Sequence, residues 1–139
     1  TGITLSDPEI NTIVEYDNKL IIGGPFETID GKQFSNTASF DGKSWSKFSE
    51  FGCPPTDYYV FNNNLYATFD NFCSAFTKGR IAIYNNGTWQ DYESNLNELI
   101  YINHYLTLES YDGHLYLGAN SGYSNNMMYL YQSFIKSKL

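Results

Sequence analysis

The chain repeats itself. Tyr16-Asp17-Asn18-Lys19-Leu20-Ile21-Ile22 returns as Phe61-Asn62-Asn63-Asn64-Leu65-Tyr66-Ala67 and again as Tyr111-Asp112-Gly113-His114-Leu115-Tyr116-Leu117. The leucine after each turn steps from 20 to 65 to 115, intervals of 45 and 50. A second element follows each copy: Phe40-Asp41-Gly42-Lys43-Ser44-Trp45 recurs as Tyr84-Asn85-Asn86-Gly87-Thr88-Trp89, with the tryptophans 44 apart. Tyr131-Gln132-Ser133-Phe134-Ile135-Lys136 is a worn third copy that keeps the aromatic and loses the turn glycine and the Trp. A repeat of this length constrains the fold strongly, because each copy is one supersecondary unit that buries its apolar face only by stacking on its neighbours.

Each copy reads as two hairpins, in which an aromatic or β-branched run meets an Asp/Asn/Gly turn and resumes with alternating apolar residues. The pattern predicts four strands per copy. They fall near Ile13 to Asp17, Leu20 to Gly24, Thr37 to Phe40 and Trp45 to Phe48; near Asp57 to Phe61, Leu65 to Phe69, Arg80 to Tyr84 and Thr88 to Tyr92; and near Leu108 to Tyr111, Leu115 to Ala119, Met127 to Tyr131 and Phe134 to Lys136. Four strands in a period of 44 to 50 residues are what a β-propeller blade requires. The expected fold is therefore all-β: three four-stranded antiparallel blades, at about 12–50, 56–93 and 106–139, forming one propeller segment. A closed ring has roughly 4–8 blades, so the segment is expected to belong to a larger ring. Completion by further sequence is favoured over pairing of two copies, since the chain starts at Thr1 and its repeats differ.

Turn and strand chemistry support these assignments. Asp41-Gly42, Asn86-Gly87 and Asp112-Gly113 offer the positive φ that two-residue hairpin turns need. Trp45 and Trp89 are expected to wedge between adjacent blades. Gly23-Gly24 is expected to let another backbone approach the end of a strand.

Charge narrows the function. With 8 Lys+Arg against 15 Asp+Glu the net charge is -7, and no clustered cations exist to release counterions from nucleic acid. Aromatics reach 18%, with 13 Tyr and 10 Phe, so the chain has the material for a packed core. No apolar run approaches the roughly 20 residues that a spanning helix needs.

No catalytic pattern stands out. His104 and His114 lie ten apart in unlike contexts, which does not make a zinc site. Glu27, Asp30, Asp57, Asp70 and Asp91 show no spacing that selects a general-acid pair or a calcium loop. Gly23-Gly24 lacks the third glycine and the Lys-Ser/Thr of a phosphate loop. We expect no enzyme and no cofactor. Cys53 and Cys73 are compatible with one disulfide or with two buried thiols. With the exposed acceptor pattern Asn86-Gly87-Thr88, they favour an extracellular or cell-surface setting.

Leu20-Ile21-Ile22-Gly23-Gly24, followed by Phe40-Asp41-Gly42 and Trp45, resembles the blades of kelch-like propellers. It is most similar to the variant in ectodomains of Rax-type cortical marker proteins of fungi and in some secreted bacterial repeat proteins. The likeness spans about Ile13 to Leu139, with specific motifs only in the first two copies. It departs from the ordinary pattern in the short step from Phe40 to Trp45 and in the missing glycine doublet of the later copies. The resemblance implies a surface or secreted binding module with no catalytic centre. Rigid blades would carry variable loops at Glu27 to Ser35, Asn71 to Lys78 and Asn120 to Asn126, each joining a second strand to a third. Candidate contacts with a partner protein are Phe26, Asp30, Phe72, Phe76 and Tyr123. The alternative is a lectin, with aromatic pockets holding glycan and two copies making a six-bladed ring.

Overall fold

The computed structural model describes residues 9–49, 52–69, 81–92, 104–120 and 128–133. They form strands and turns, with no helix among the described residues. Sheet 1 has the order β1 (Thr12–Tyr16), β2 (Lys19–Gly23), β5 (Thr37–Phe40) and β6 (Trp45–Lys47). Sheet 2 joins β7 (Asp57–Phe61), β8 (Asn64–Thr68), β9 (Ile81–Asn85) and β10 (Thr88–Asp91) in sequence order. Sheet 3 joins β11 (His104–Tyr111), β12 (His114–Asn120) and β13 (Met128–Ser133). All pairings are antiparallel, so each sheet is a simple meander.

The tight turns follow from residues that tolerate positive φ. Asp17 and Asn18 turn β1 into β2, and Asn62 and Asn63 turn β7 into β8, each with both φ between 48° and 61°. Asn86-Gly87 and Asp112-Gly113 do the same between β9 and β10 and between β11 and β12. Asp41-Gly42 does not form the expected two-residue turn. Phe40 pairs with Trp45, leaving four residues in the connection. The Asp41 carboxylate causes this by accepting the N–H groups of Lys43 (2.8 Å) and Ser44 (2.7 Å), which closes a wider loop.

Alternation along the strands turns successive side chains to opposite faces of each sheet. One face of sheet 1 presents Val14, Tyr16 and Ile21 to Tyr58, Leu65, Ala67 and Ala82 of sheet 2. The opposite face of sheet 2 presents Tyr59, Phe61, Tyr66, Ile81 and Ile83 to Leu108, Leu115 and Leu117 of sheet 3. Sheet 2 thus lies between its neighbours, and β7 packs against both β1 and β11.

Residues 27–35, expected as an open loop, contain a further hairpin of β3 (Thr28–Ile29) and β4 (Lys32–Gln33). Asp30 and Gly31 form its two-residue turn, at φ 48° and 75°. The hairpin folds Phe26, Ile29 and Phe34 onto Ile22, Ala38 and Trp45, on the face of sheet 1 turned away from sheet 2. Burying each of these side chains stabilises the cap by about 2 kcal/mol.

Sheet 3 departs from expectation as well. β13 continues through Gln132 and Ser133, where a turn was expected, because its pairing with β12 stays in register to Leu115↔Ser133 and no glycine or aspartate reverses it. The expected strand at 134–136 lies outside the described residues.

Candidate functional site

The first strands of the three sheets meet along a polar seam. Thr12, Asp57 and Thr107 occupy the same position in successive repeats, 45 and 50 residues apart. The Thr12 hydroxyl accepts the N–H of Tyr58 at 2.9 Å. One repeat later, the Asp57 carboxylate accepts the N–H of Leu108 at 3.0 Å. The same bond therefore links sheet 1 to sheet 2 and sheet 2 to sheet 3. Asp57 also accepts the hydroxyls of Thr12 (3.2 Å) and Thr107 (3.0 Å), joining all three sheets through one side chain.

Two further contacts reinforce the seam. Asn11 donates to the Pro55 carbonyl at 2.9 Å, and the Tyr58 hydroxyl donates to Thr37 at 3.0 Å. The Tyr59 hydroxyl donates to the Glu109 carboxylate and accepts the Ser110 N–H at 3.0 Å. Gly23 and Gly24 fit the expected close approach. A Cβ at Gly23 would lie 2.8 Å from Tyr58, and one at Gly24 would fall on the Glu9 carbonyl oxygen.

The seam carboxylates act as hydrogen-bond acceptors. Hydrogen bonds from Tyr59 and from the Ser110 N–H hold Glu109 below the usual carboxylate range, so it is poor as a proton donor. Among the described residues there is no cluster of His, Cys, Asp or Glu able to hold a metal ion. No helix among them is long and apolar enough to cross a membrane.

Tyr58, Tyr66 and Tyr84 titrate late. Burial pushes the Tyr58 hydroxyl far up, against the opposing effect of its bond to Thr37. Tyr66 is pushed up to about 12, mainly by burial and then by Tyr92. Burial, then Tyr16 and Asp17, raise Tyr84. The folded state thus holds these protons more tightly than the unfolded chain. Their contribution to stability is complete below the ordinary tyrosine value of about 10 and is lost as pH rises through the folded values. We expect the urea midpoint to fall steeply above about pH 10, with phenolate absorbance rising in step with unfolding. A flat midpoint through that range would show that the rings are not enclosed.

The candidate partner residues have different fates. Phe26, expected on a loop surface, is only 1% exposed and is part of the core under the β3–β4 hairpin. Asp30 is exposed at that hairpin's turn. Phe72, Phe76 and Tyr123 lie outside the described residues, as does Cys73. Cys53 is half-buried beside the core shared by sheets 1 and 2. Asn86 is exposed in the β9–β10 turn. His114 places Nδ1 2.7 Å from the Asp112 carbonyl, within its own turn.

Trp89 lies between sheets, stacked on Tyr58 at 5.9 Å and edge-on to Phe48 at 6.2 Å. Trp45 instead rests on Phe40 at 5.0 Å, beside the β3–β4 cap. Sequence reasoning misses the seam, because it treats Asp57 only as the start of a strand and as a carboxylate without catalytic spacing. Its signal was present, since Thr12, Asp57 and Thr107 keep the same intervals as Leu20, Leu65 and Leu115.

No family model and no curated protein matches the chain.

Proposed function

We propose that the three sheets are consecutive blades of a kelch-like β-propeller and that the chain is a non-enzymatic, protein-binding part of a secreted or cell-surface protein. The observation that carries this reading is the repeated seam. One side chain–to–backbone bond, made at equivalent positions, relates sheet 2 to sheet 1 and sheet 3 to sheet 2, as successive blades require.

A partner would be recognised through the connections that leave β2, β8 and β12, which share one topological place in the three repeats. The first of these is ordered by its own small core and shows Glu27, Asp30, Lys32 and Gln33 to solvent. Binding of a protein is better supported than binding of glycan, because Trp89 is enclosed by Tyr58 and Tyr84 and is no open platform for a sugar.

The extracellular setting draws on the exposed Asn86 acceptor and on Cys53. Cys73 is the only other cysteine in the chain and is its proposed disulfide partner.

Replacing Glu27, Asp30, Lys32 and Gln33 together by serine, with Phe26, Ile29 and Phe34 kept, tests the binding reading. Affinity for the surface protein that the unaltered chain captures should fall at least about tenfold while circular dichroism stays the same. Full retention of affinity would count against this loop as the contact.

A further inference from the structure

Asn86 is the one asparagine of the chain with Ser or Thr two places on, in Asn86-Gly87-Thr88, the acceptor pattern for N-linked sugar. The fold puts that triplet where a sugar has room. Asn86 and Gly87 are the central residues of the β9–β10 turn, at φ 49° and 84°, and Asn85, Asn86, Gly87 and Thr88 are all exposed. A Cβ at Gly87 would meet no described atom within 4 Å. The space over the turn is therefore open.

The contacts between sheets show which end of the stack this turn occupies. Thr12, Asp57 and Thr107 meet at one end of β1, β7 and β11, whereas Tyr16 and Tyr84 meet beside the turns at the other end. The turns at 17–18, 62–63, 86–87 and 112–113 thus share one end. The connections leaving β2, β8 and β12 start from the opposite end.

We infer that Asn86 carries an N-linked oligosaccharide, held in solvent on the turn end and away from the start of the connections proposed to meet a partner. The inference rests on the extracellular setting above and adds to it the modified atom and its place in the fold. In the transfer, Asn86 Nδ2 bonds to the anomeric carbon of an oligosaccharide carried on a lipid diphosphate. The sugar–phosphate bond breaks, the lipid diphosphate leaves with the bonding electrons, and the amide nitrogen gives up one proton. In the folded chain the Thr88 hydroxyl donates to the Asn85 carbonyl at 3.1 Å. That engages the hydroxyl the acceptor pattern requires, so transfer falls before the hairpin closes. Once the hairpin has closed, the sugar displaces only water from an exposed turn.

Translation of the full chain behind a cleavable leader, with endoplasmic-reticulum microsomes present, tests this. The unaltered chain should gain the mass of one glycan, which an N-glycanase removes. Asn86→Gln and Thr88→Ala should each abolish the gain, and Thr88→Ser should keep it. The glycan should come off the folded chain without denaturant, because its root is exposed. An unmodified chain inside the microsomes, or a gain in mass that survives Asn86→Gln, overturns the inference. Release only after denaturation overturns the placement in solvent. Failure of the extracellular reading gives a different result: microsomes modify Asn86, but the protein isolated from its own cells carries no sugar.

Discussion

Asp57→Ala should lower the unfolding free energy by about 3 kcal/mol, the cost of leaving a backbone N–H and two hydroxyls without their shared acceptor in a partly buried seam. The carboxylate takes the Leu108 N–H and the Thr107 hydroxyl on one oxygen and the Thr12 hydroxyl on the other. No other described side chain bonds to both neighbouring sheets. Urea unfolding followed by circular dichroism reads the loss directly. Asp57→Asn, which keeps one acceptor oxygen, should recover part of it. A double-mutant cycle with Thr107→Val isolates the bond across the second seam and should return a coupling of about 1 kcal/mol. If Asp57→Ala changes stability by less than about 0.5 kcal/mol, as an ordinary surface substitution would, the seam does not join the sheets and the reading of them as successive blades loses its main support.

What the sequence disclosed and what it hid both follow from the range of the interactions. Strand positions were legible because hairpins are local: Asp-Asn, Asn-Asn, Asn-Gly and Asp-Gly supply positive φ wherever they stand, and alternation beside them sets the faces. The β3–β4 hairpin carried the same signal in Asp30-Gly31, but the strands around it are two residues each, too short for alternation to show. The fate of Phe26 was hidden for that reason, because an aromatic in an apparent loop is buried only if the loop folds back. At Asp41 a local competitor won, the side chain capturing two N–H groups that a tighter turn would not have offered. The seam depends on sheets that are some fifty residues apart in sequence. Only the repeat spacing hinted that Thr12, Asp57 and Thr107 would meet, and nothing in their residue types marks them as one site.

The two tryptophans hold the same place in their repeats and should nonetheless respond very differently to removal. Trp89→Ala should cost about 3–4 kcal/mol, in the range of large aromatic truncations in a packed interior. Its ring crosses a shelf built by Ala67 and Ala82, small residues on the two central strands, and meets Tyr58 from the far edge of the same sheet. Phe48 from sheet 1 and Tyr84 close the remaining sides at 6.2 and 5.1 Å. The three aromatic rings around it cannot collapse into the space that the indole leaves, so the cavity persists. Trp45→Ala should cost only about 1–2 kcal/mol, because one ring contact is lost there against three at Trp89. Its neighbours among the described residues are Phe40 and the β3–β4 cap. Trp89→Phe should restore most of the loss at its site, while Trp45→Phe should be close to neutral. Urea midpoints give the comparison. Equal costs for the two alanine variants would mean that the β3–β4 cap encloses Trp45 as fully as Phe48, Tyr58 and Tyr84 enclose Trp89.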